Sequence, residues 1–204
     1  MSSPLQTQSI HVVKKYPTSI KKAMDDVKTI LKHFLEIQKP CAVVFDIDDT
    51  LIESEMGNGI KETKDLYHFC NKHKIPTFFI TARLKEKEVI QETLKQLEEH
   101  GMQVPEENLK LSPASYRESF PRISQWKHKT REKIASQLGH QITFTIGDQW
   151  GDLIAINDHE YKKFNKEFYI DDKPPSAILM RPNDKVSHWG LKILSSIEKK
   201  DMGY

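Results

Sequence analysis

The sequence predicts an α/β fold in which helices cover a parallel β-sheet. Two observations predict it: short runs rich in β-branched and aromatic residues recur along the chain, and stretches with helical spacing of apolar residues separate them. A strand buried on both faces reads as a continuous apolar run, and strands that alternate with helices pair in parallel. The 204 residues, 37% of them hydrophobic and 29% charged, suffice for one domain.

The chain begins with a segment that we expect to be flexible, residues 1–17, followed by a single domain over residues 18–204. Ser and Gln dominate the first ten residues, which favours fraying. From Thr18 to Leu35 the apolar residues follow helical spacing, and Pro40 ends the pattern. The run CAVVFDI, which starts at Cys41, then predicts the first buried strand.

The alternation continues through the rest of the chain. Further strands are predicted at PTFFIT, LKL and ITFTIG, and helices over Lys61–His73, Leu84–His100 and Lys129–Leu138. Two prolines and the lack of a period predict a long loop between Ser112 and Trp126. The tail predicts a short strand at EFYI, a DDKPPS loop and a helix near Trp189–Ile197.

Charge and composition restrict the class of protein. The formal net charge of +2 argues against a dedicated nucleic-acid-binding protein, although a local basic patch and homo-oligomerisation stay open. No apolar stretch is long enough to span a membrane. No secretory leader is visible at the start, so we expect a cytoplasmic protein in which Cys41 and Cys70 are free thiols.

The densest chemical signal is the run DIDDT, at the end of the first predicted strand. Asp46, Asp48 and Asp49 crowd together at the sheet edge where ligands bind in such folds. Their mutual repulsion predicts a hard divalent cation, and Mg²⁺ is the usual partner of carboxylate and phosphate groups. A helix–loop–helix calcium site is excluded, because Leu51 and Gly57 occupy the positions that require Gly and Glu. An ordinary acidic turn stays open for the run taken alone.

Three further groups follow in chain order. Thr81-Ala82-Arg83 ends the second predicted strand, before a helix whose first amides could seat a phosphate. Lys127 lies near the start of a later helix, where lysines are usually part of a solvated face. Asp148 follows a turn glycine at the end of the ITFTI strand, and Asp152 lies one helical turn further on.

Taken together, these groups resemble the four motifs of the haloacid dehalogenase (HAD) superfamily of phosphohydrolases. The strings FDIDDTL, TAR, WKHKTREKI and GDQWGDL are similar to those of its acid phosphatase branch, subclass IIIB, which includes plant and bacterial class B and class C acid phosphatases. The resemblance implies a Rossmann-like, HAD-like fold, a three-layer sandwich with its parallel sheet flanked by helices. Only a short stretch separates Thr50 from the helix at Lys61, so we expect no large cap domain.

The resemblance also implies residue roles in a Mg²⁺-dependent phosphatase. Asp46 would be the nucleophile and form a phosphoaspartate, with Asp48 as the general acid and base. Phosphate would be bound by Thr81, Ala82 and Lys127, and Lys127 would also offset charge on the nucleophile. The implied metal site consists of Asp46, Asp48 (through its backbone carbonyl), Asp148 and Asp152.

Substrate and activity are less constrained by the motifs. Family members usually have Gly or Asn where this chain has Ala82, so a requirement for positive φ there would strain the backbone. The loops suggest Tyr116, Arg117 and Arg122 as substrate contacts. We expect a small phosphomonoester such as a nucleotide or sugar phosphate; a phosphorylated macromolecule and a non-catalytic binding module are the alternatives.

Overall fold

A seven-stranded mixed sheet forms the centre of the protein. The computed structural model describes residues 12–16, 19–157, 159–160, 162–164, 176–183 and 186–194. The strands are β1 (Val12–Tyr16), β2 (Val43–Phe45), β3 (Thr77–Leu84), β4 (Leu109–Ser112), β5 (Phe144–Gly147), β6 (Ala177–Met180) and β7 (Trp189–Ile193). Their order across the sheet is β1-β6-β7-β5-β2-β3-β4. Strand β6 runs antiparallel to both of its neighbours, and the other pairings are parallel.

Helices cover both faces of this sheet, which confirms the three-layer prediction. They are α1 (Ile20–Glu36), α2 (Lys61–Lys72), α3 (Lys87–Glu99), α4 (Phe120–Leu138) and the single turn α5 (Trp150–Leu153). Successive side chains of a strand point to opposite faces. In β2, Val43 and Phe45 pack in a core with residues of α1 to α3, whereas Val44 packs with Trp126 and Ile134 of α4. The sheet is therefore buried on both sides, as its apolar runs predict.

The structure differs from the sequence-based expectations in four details. The sheet is mixed rather than wholly parallel, because β6 turns back. Within the segment expected to be flexible, residues 12–16 form edge strand β1, where Tyr16 donates a 2.6 Å hydrogen bond to Asp26 of α1. The final helix expected near Trp189 is strand β7. The predicted strand EFYI and most of the DDKPPS loop lie outside the described residues.

The fourth difference concerns the predicted long loop over Ser112–Trp126. Helix α4 starts at Phe120, nine residues before the predicted start, so only the first half of that segment is a loop. Pro121 misled the prediction, because proline is tolerated in the first turn of a helix, where the amides lack intrahelical partners. The early start places Ser124, Trp126 and Lys127 on the buried face of α4.

The connection between β2 and α2 is short, and none of the described helices is long and apolar enough to cross a membrane. Residues 46–60 form a tight turn held by bridges that pair Ile52 with Asp48 and with Gly59. This leaves no room for a large cap domain between these elements, as the sequence predicts. The carboxyl ends of β2, β3 and β5 are thus left uncovered by any insertion at this point of the chain.

Backbone conformation settles the question of strain at Ala82. Among the described residues, the non-glycine residues with positive φ are Gln38, Asp49 and Lys74. Ala82 lies in β3 with negative φ, so a side chain is compatible with its conformation. Lys74 follows the end of α2 with φ 56°, at a position that glycine commonly occupies.

We predict opposite effects of glycine at these two positions. Ala82→Gly adds conformational freedom to the unfolded chain and lowers the free energy of unfolding by about 0.5–1 kcal/mol. Lys74 has an exposed side chain and a left-handed backbone conformation, which glycine adopts without strain. Lys74→Gly therefore raises the free energy of unfolding by about 1 kcal/mol. Urea unfolding of both variants beside the wild type measures the two changes. A gain in stability for Ala82→Gly would show that Ala82 is strained.

Candidate active site

Two neighbouring strands bring the principal carboxylates together at one edge of the sheet. Phe45 of β2 is in register with Ile146 of β5. Asp46 comes directly after Phe45, and Asp148 comes two residues after Ile146, so both lie where the two paired strands end. The amide of Asp46 donates a 2.9 Å hydrogen bond to the carbonyl of Ile146, which fixes this register. Because parallel strands end at the same edge, residues 102 positions apart in sequence become neighbours.

Asp152 completes a buried cluster of three carboxylates. Asp46, Asp148 and Asp152 each offer an oxygen within 4.8 Å of the others, and all three side chains are buried. Asp152 lies in the first turn of α5, where its Oδ2 accepts a 2.8 Å hydrogen bond from the Gln149 amide in a capping box. The sequence prediction that these three residues converge is confirmed by this geometry.

Gly147 makes that convergence possible. A Cβ atom at Gly147 would lie 2.3 Å from Cβ of Asp152 and 2.5 Å from its Oδ2. Real Cβ atoms do not approach other atoms so closely, so any side chain at this position would displace Asp152. The glycine is therefore required by close approach and not by its φ angle, which is not positive.

Lys127 bridges two of the three carboxylates. Its Nζ lies 2.6 Å from Oδ1 of Asp46 and 2.5 Å from Oδ1 of Asp152, and the ammonium is buried with them. Burial alone would lower the pKa of Lys127, but the charges of Asp152 and Asp46 outweigh it and raise the pKa above its ordinary value. Lys127 is consequently a fixed positive charge in the site rather than part of a solvated helix face.

The negative charge of the carboxylate cluster is only partly balanced by Lys127. Burial first, and then the charge of Asp152, raises the pKa of Asp46 to about 7 despite the opposing effect of Lys127. Burial and the charges of Asp152 and Asp46 also raise the pKa of Asp148 well above its usual range. An additional cation at the cluster would favour the ionised forms of Asp46 and Asp148. Their oxygen atoms are the ligand type that hard divalent ions prefer.

Asp48 has different partners from Asp46. Arg83 donates hydrogen bonds to the Asp48 carboxylate. Its Nε lies 3.2 Å from Oδ1 and 3.1 Å from Oδ2, and its Nη2 lies 2.7 Å from Oδ1. The Thr81 hydroxyl donates a 3.2 Å hydrogen bond to the same carboxylate, and it accepts one from the amide of Arg83. Thr93 of α3 accepts a bond from Nη1 and so anchors the guanidinium. Thr81 and Arg83 thus fix the position of Asp48.

Asp49 does not join the carboxylate group, contrary to the expectation from the run DIDDT. Its φ of 56° turns the chain, and its two carboxylate oxygens accept hydrogen bonds from the amide and hydroxyl of Ser54 at 3.0 and 2.9 Å. Aspartate is among the residues that tolerate this left-handed conformation. Asp49 therefore shapes the turn that holds Asp46 and Asp48 and does not face their site.

The three suggested substrate contacts differ in their placement. Tyr116 is partly buried and packs against the apolar cluster beneath α4. Arg117 is exposed at the end of a single 3₁₀ turn. Arg122 is also exposed, and it pairs with Glu118, two residues before the start of α4. The structure does not bring these side chains into the carboxylate cluster.

Sequence reasoning assigned no site role to four residues that contact the aspartates. Arg83 binds Asp48, and Gln149 donates a 2.7 Å hydrogen bond from Nε2 to Asp148. Lys192 donates to the carbonyl of Asp148, and Arg131 donates to the carbonyl of Asp152. Arg83 and Arg131 stand inside the motif strings TAR and WKHKTREKI, which was the available signal. No sequence signal pointed to Lys192, because its strand was predicted as a helix.

Comparison with known proteins relates most of the chain to a family. The family model described as HAD superfamily, subfamily IIIB (acid phosphatase), matches residues 53–183. The class C acid phosphatase from Bacillus anthracis has a similar fold, with a TM-score of 0.57 and 14% identity over 86% of this chain and 76% of that chain. A hypothetical protein from Pyrococcus horikoshii OT3 gives a TM-score of only 0.31, at 12% identity over 79% and 66% of the two chains. No curated protein sequence matches the chain.

We predict that Lys127→Met costs about 3–5 kcal/mol of unfolding free energy at pH 8, because it leaves two buried carboxylates without their shared cation. The loss should shrink at pH 5. The pKa of Asp46 is already raised by burial, and removal of Lys127 raises it further, so protonation then relieves the uncompensated charge. Urea unfolding at both pH values measures the effect, with Lys129→Met on the exposed side of α4 as control. Equal losses at the two pH values would contradict it.

Proposed function

The chain belongs to the HAD superfamily, subfamily IIIB, the acid phosphatases, and we propose that it hydrolyses small phosphomonoesters with Mg²⁺ through a phosphoaspartate on Asp46. The single observation that carries this proposal is the buried bridge from Lys127 to Asp46 and Asp152 beside Asp148. It supports the proposal because the Asp46 carboxylate, the Lys127 ammonium and the carboxylates of Asp148 and Asp152 lie together at one edge of the sheet, and phosphoryl transfer through an aspartate would use such a set as nucleophile, phosphate-binding cation and metal ligands.

The residues present fit a divalent metal ion. Asp46 and Asp148 would be its carboxylate ligands, together with the backbone carbonyl of Asp48. Both oxygens of Asp152 already accept hydrogen bonds from Lys127 and from the amide of Gln149, so Asp152 is better suited to orient the site than to serve as a principal ligand. When bound, Mg²⁺ would reduce the repulsion between the anionic nucleophile and the anionic substrate.

Asp46 is positioned to act as the nucleophile. Lys127 holds its Oδ1, and the Thr50 hydroxyl lies 3.4 Å from its Oδ2, so the orientation of the carboxylate is fixed. An oxygen of Asp46 attacks phosphorus, a phosphoaspartate forms, and the bond from phosphorus to the ester oxygen breaks. The Thr81 hydroxyl, the Ala82 amide and the Lys127 ammonium would bind the phosphoryl oxygens during this transfer.

Asp48 is suited to move protons. Its side chain is 40% exposed, whereas that of Asp46 is only 6% exposed, so Asp48 can reach both a leaving group and water. Asp48 gives a proton to the departing alkoxide in the first step. In the second step it takes a proton from water, whose oxygen attacks the phosphoaspartate; phosphate leaves and Asp46 is regenerated. Arg83 keeps the carboxylate oriented between the two steps, while the Thr81 hydroxyl turns its one proton from Asp48 to the phosphoryl group.

The substrate class is inferred from the family and from the charge of the chain. The family acts on phosphomonoesters, and the formal net charge of +2 argues against a nucleic-acid substrate. We therefore propose small phosphorylated metabolites, such as nucleotides or sugar phosphates, with discrimination by the loop segments 53–60 and 112–119. Arg117, which is exposed in the second of these, remains a candidate contact for the leaving group.

We predict that the protein with Mg²⁺ hydrolyses an aryl phosphate, and that EDTA abolishes this activity. Asp46→Asn should lower kcat at least about a thousandfold, because the amide is a poor nucleophile. Asp65→Asn removes an exposed carboxylate of α2 and serves as the matched control, with activity unchanged. Phosphate release over a panel of phosphomonoesters measures the effect; no turnover of any member by the wild type would refute the proposal.

We also predict that Asp48→Asn accumulates the covalent intermediate. An aryl phosphate has a good leaving group that depends little on protonation, so phosphorylation of Asp46 continues while hydrolysis lacks its base. Intact-protein mass spectrometry after an acid quench should show one added phosphoryl group, absent in the double variant Asp46→Asn/Asp48→Asn. Turnover by Asp48→Asn at the wild-type rate, without an intermediate, would exclude the assigned role.

A further inference from the structure

A cavity of about 620 Å³ lies along α4, from His128 to Gly139, the residue after the helix ends. Other parts of its wall are the segments before β5, at the end of α5 and before β7. Among the described residues that line it, none is Asp46, Asp148 or Asp152. The cavity is therefore a space separate from the proposed reaction site, of a size that accommodates a small organic molecule.

His188, in the wall before β7, uses only one of its two ring nitrogens within the protein. The residue is 6% exposed, and its Nε2 lies 2.7 Å from the carbonyl oxygen of Leu153. A carbonyl oxygen only accepts hydrogen bonds, so Nε2 carries the proton and donates it to this contact. In a neutral imidazole the other nitrogen, Nδ1, then has a lone pair and acts only as an acceptor. Within the part of the chain that the structure describes, no group donates to Nδ1.

The Nδ1 atom of His188 is accessible from the cavity. Among the described residues, the side-chain polar atoms that are both unpartnered and sealed from solvent belong to Arg131 and Thr145. Nδ1 of His188 has no described partner and is not one of these sealed atoms, so a water-sized molecule can touch it. The space that the ring lines is this cavity. A largely buried acceptor is therefore left to be satisfied by whatever occupies the cavity.

The charges around His188 favour an uncharged ligand. Burial first, and then the charge of Arg131, lowers the pKa of His188 to about 3, so the ring has no second proton to offer to an anion. The unpartnered nitrogens of Arg131 are sealed from solvent, so an anionic oxygen in the cavity does not reach them. A cation is disfavoured by the buried Arg131 charge, and the Glu132 carboxylate that lines the cavity is largely exposed, 3.4 Å from Nε2 of His128.

The rest of the wall favours a ligand with an apolar body. Ile142, Leu153, Ile154 and Val186 line the cavity, and all four are buried residues. Contact with these side chains removes apolar ligand surface from water, which stabilises the bound state. One hydrogen bond to a fixed acceptor then sets the orientation of the ligand, as in most small-molecule sites.

We propose that this cavity binds a small uncharged molecule with an apolar body, which donates one hydrogen bond from an N–H or O–H group to Nδ1 of His188. A water molecule satisfies Nδ1 alone, whereas such a ligand also covers the apolar wall and so displaces the water. The site is independent of the proposed hydrolysis, because it requires neither the metal ion nor Asp46.

The test compares indole with benzofuran, two probes of the same shape of which only indole has an N–H donor. In the full chain with ¹⁵N-labelled histidines, NMR resolves the two ring nitrogens, and His188→Gln identifies the signals of His188 by their absence. Accepting a hydrogen bond changes the shift of an unprotonated ring nitrogen. We expect a saturable shift of the Nδ1 signal with indole and a much smaller one with benzofuran, while Nε2 keeps its partner and its shift.

Two variants and a control locate the interaction by calorimetry. His188→Gln keeps an N–H donor for the Leu153 carbonyl but lacks the acceptor, so it should weaken indole binding at least about fivefold. Ser136→Phe adds bulk at an exposed position of the cavity wall and should weaken it at least about tenfold. Lys129→Phe, at an exposed position of α4 outside the wall, should bind indole as the wild type does. Ser136→Phe retains every buried group, so it remains informative if His188→Gln fails to fold.

Three outcomes would overturn the inference. They are the absence of any Nδ1 shift with indole, an equal shift with benzofuran, or undiminished indole binding in folded Ser136→Phe. The hydrolysis of an aryl phosphate is measured separately, so loss of either property leaves the other open to its own test.

Discussion

The structure of the site depends on one constraint: several carboxylates are held out of water and close together. Parallel pairing of β2 with β5 places Asp46 and Asp148 side by side, and the turn at α5 adds Asp152. These buried carboxylates would repel one another strongly without a cation between them. Lys127 supplies that cation, and α4 must dock against α5 for its ammonium to reach Asp46 and Asp152 together. The charge balance of the site therefore depends on the packing of α4 against α5.

Helix α4 holds Asp152 through two of its residues. Lys127 and Arg131 are one turn apart on the same helix face, and both bind Asp152, the first at its carboxylate and the second at its carbonyl. The Arg131 guanidinium thus holds the loop that carries Asp152. Helix α4 therefore fixes both the side chain and the backbone of Asp152.

The sequence predicted the cluster more completely than its surroundings. Asp46, Asp148, Asp152 and Lys127 stand in strings whose order and strand-end positions are local signals, and the structure confirms their convergence. The motif string TAR contained Arg83 but did not identify its partner, because the contact with Asp48 depends on the turn that exposes that carboxylate. Strand β7 was mistaken for a helix because Lys192, a charged residue, points into the protein. The Lys192 ammonium donates to the backbone carbonyl of Asp148, and a backbone partner cannot be predicted from the pattern of side chains.

Asp46 and Asp48 illustrate how two identical residues acquire different chemistry. They are two positions apart, and a regular strand would direct both to the same face with similar environments. The chain leaves the strand at Phe45, and Asp49 adopts a left-handed conformation fixed by its bonds to Ser54. Asp46 consequently stays against Lys127 in a dry site, while Asp48 turns toward Arg83 and solvent. A nucleophile needs fixed orientation and little competition from water, and a proton carrier needs access to water. The turn at Asp49, whose carboxylate is held by Ser54, is what separates the two environments.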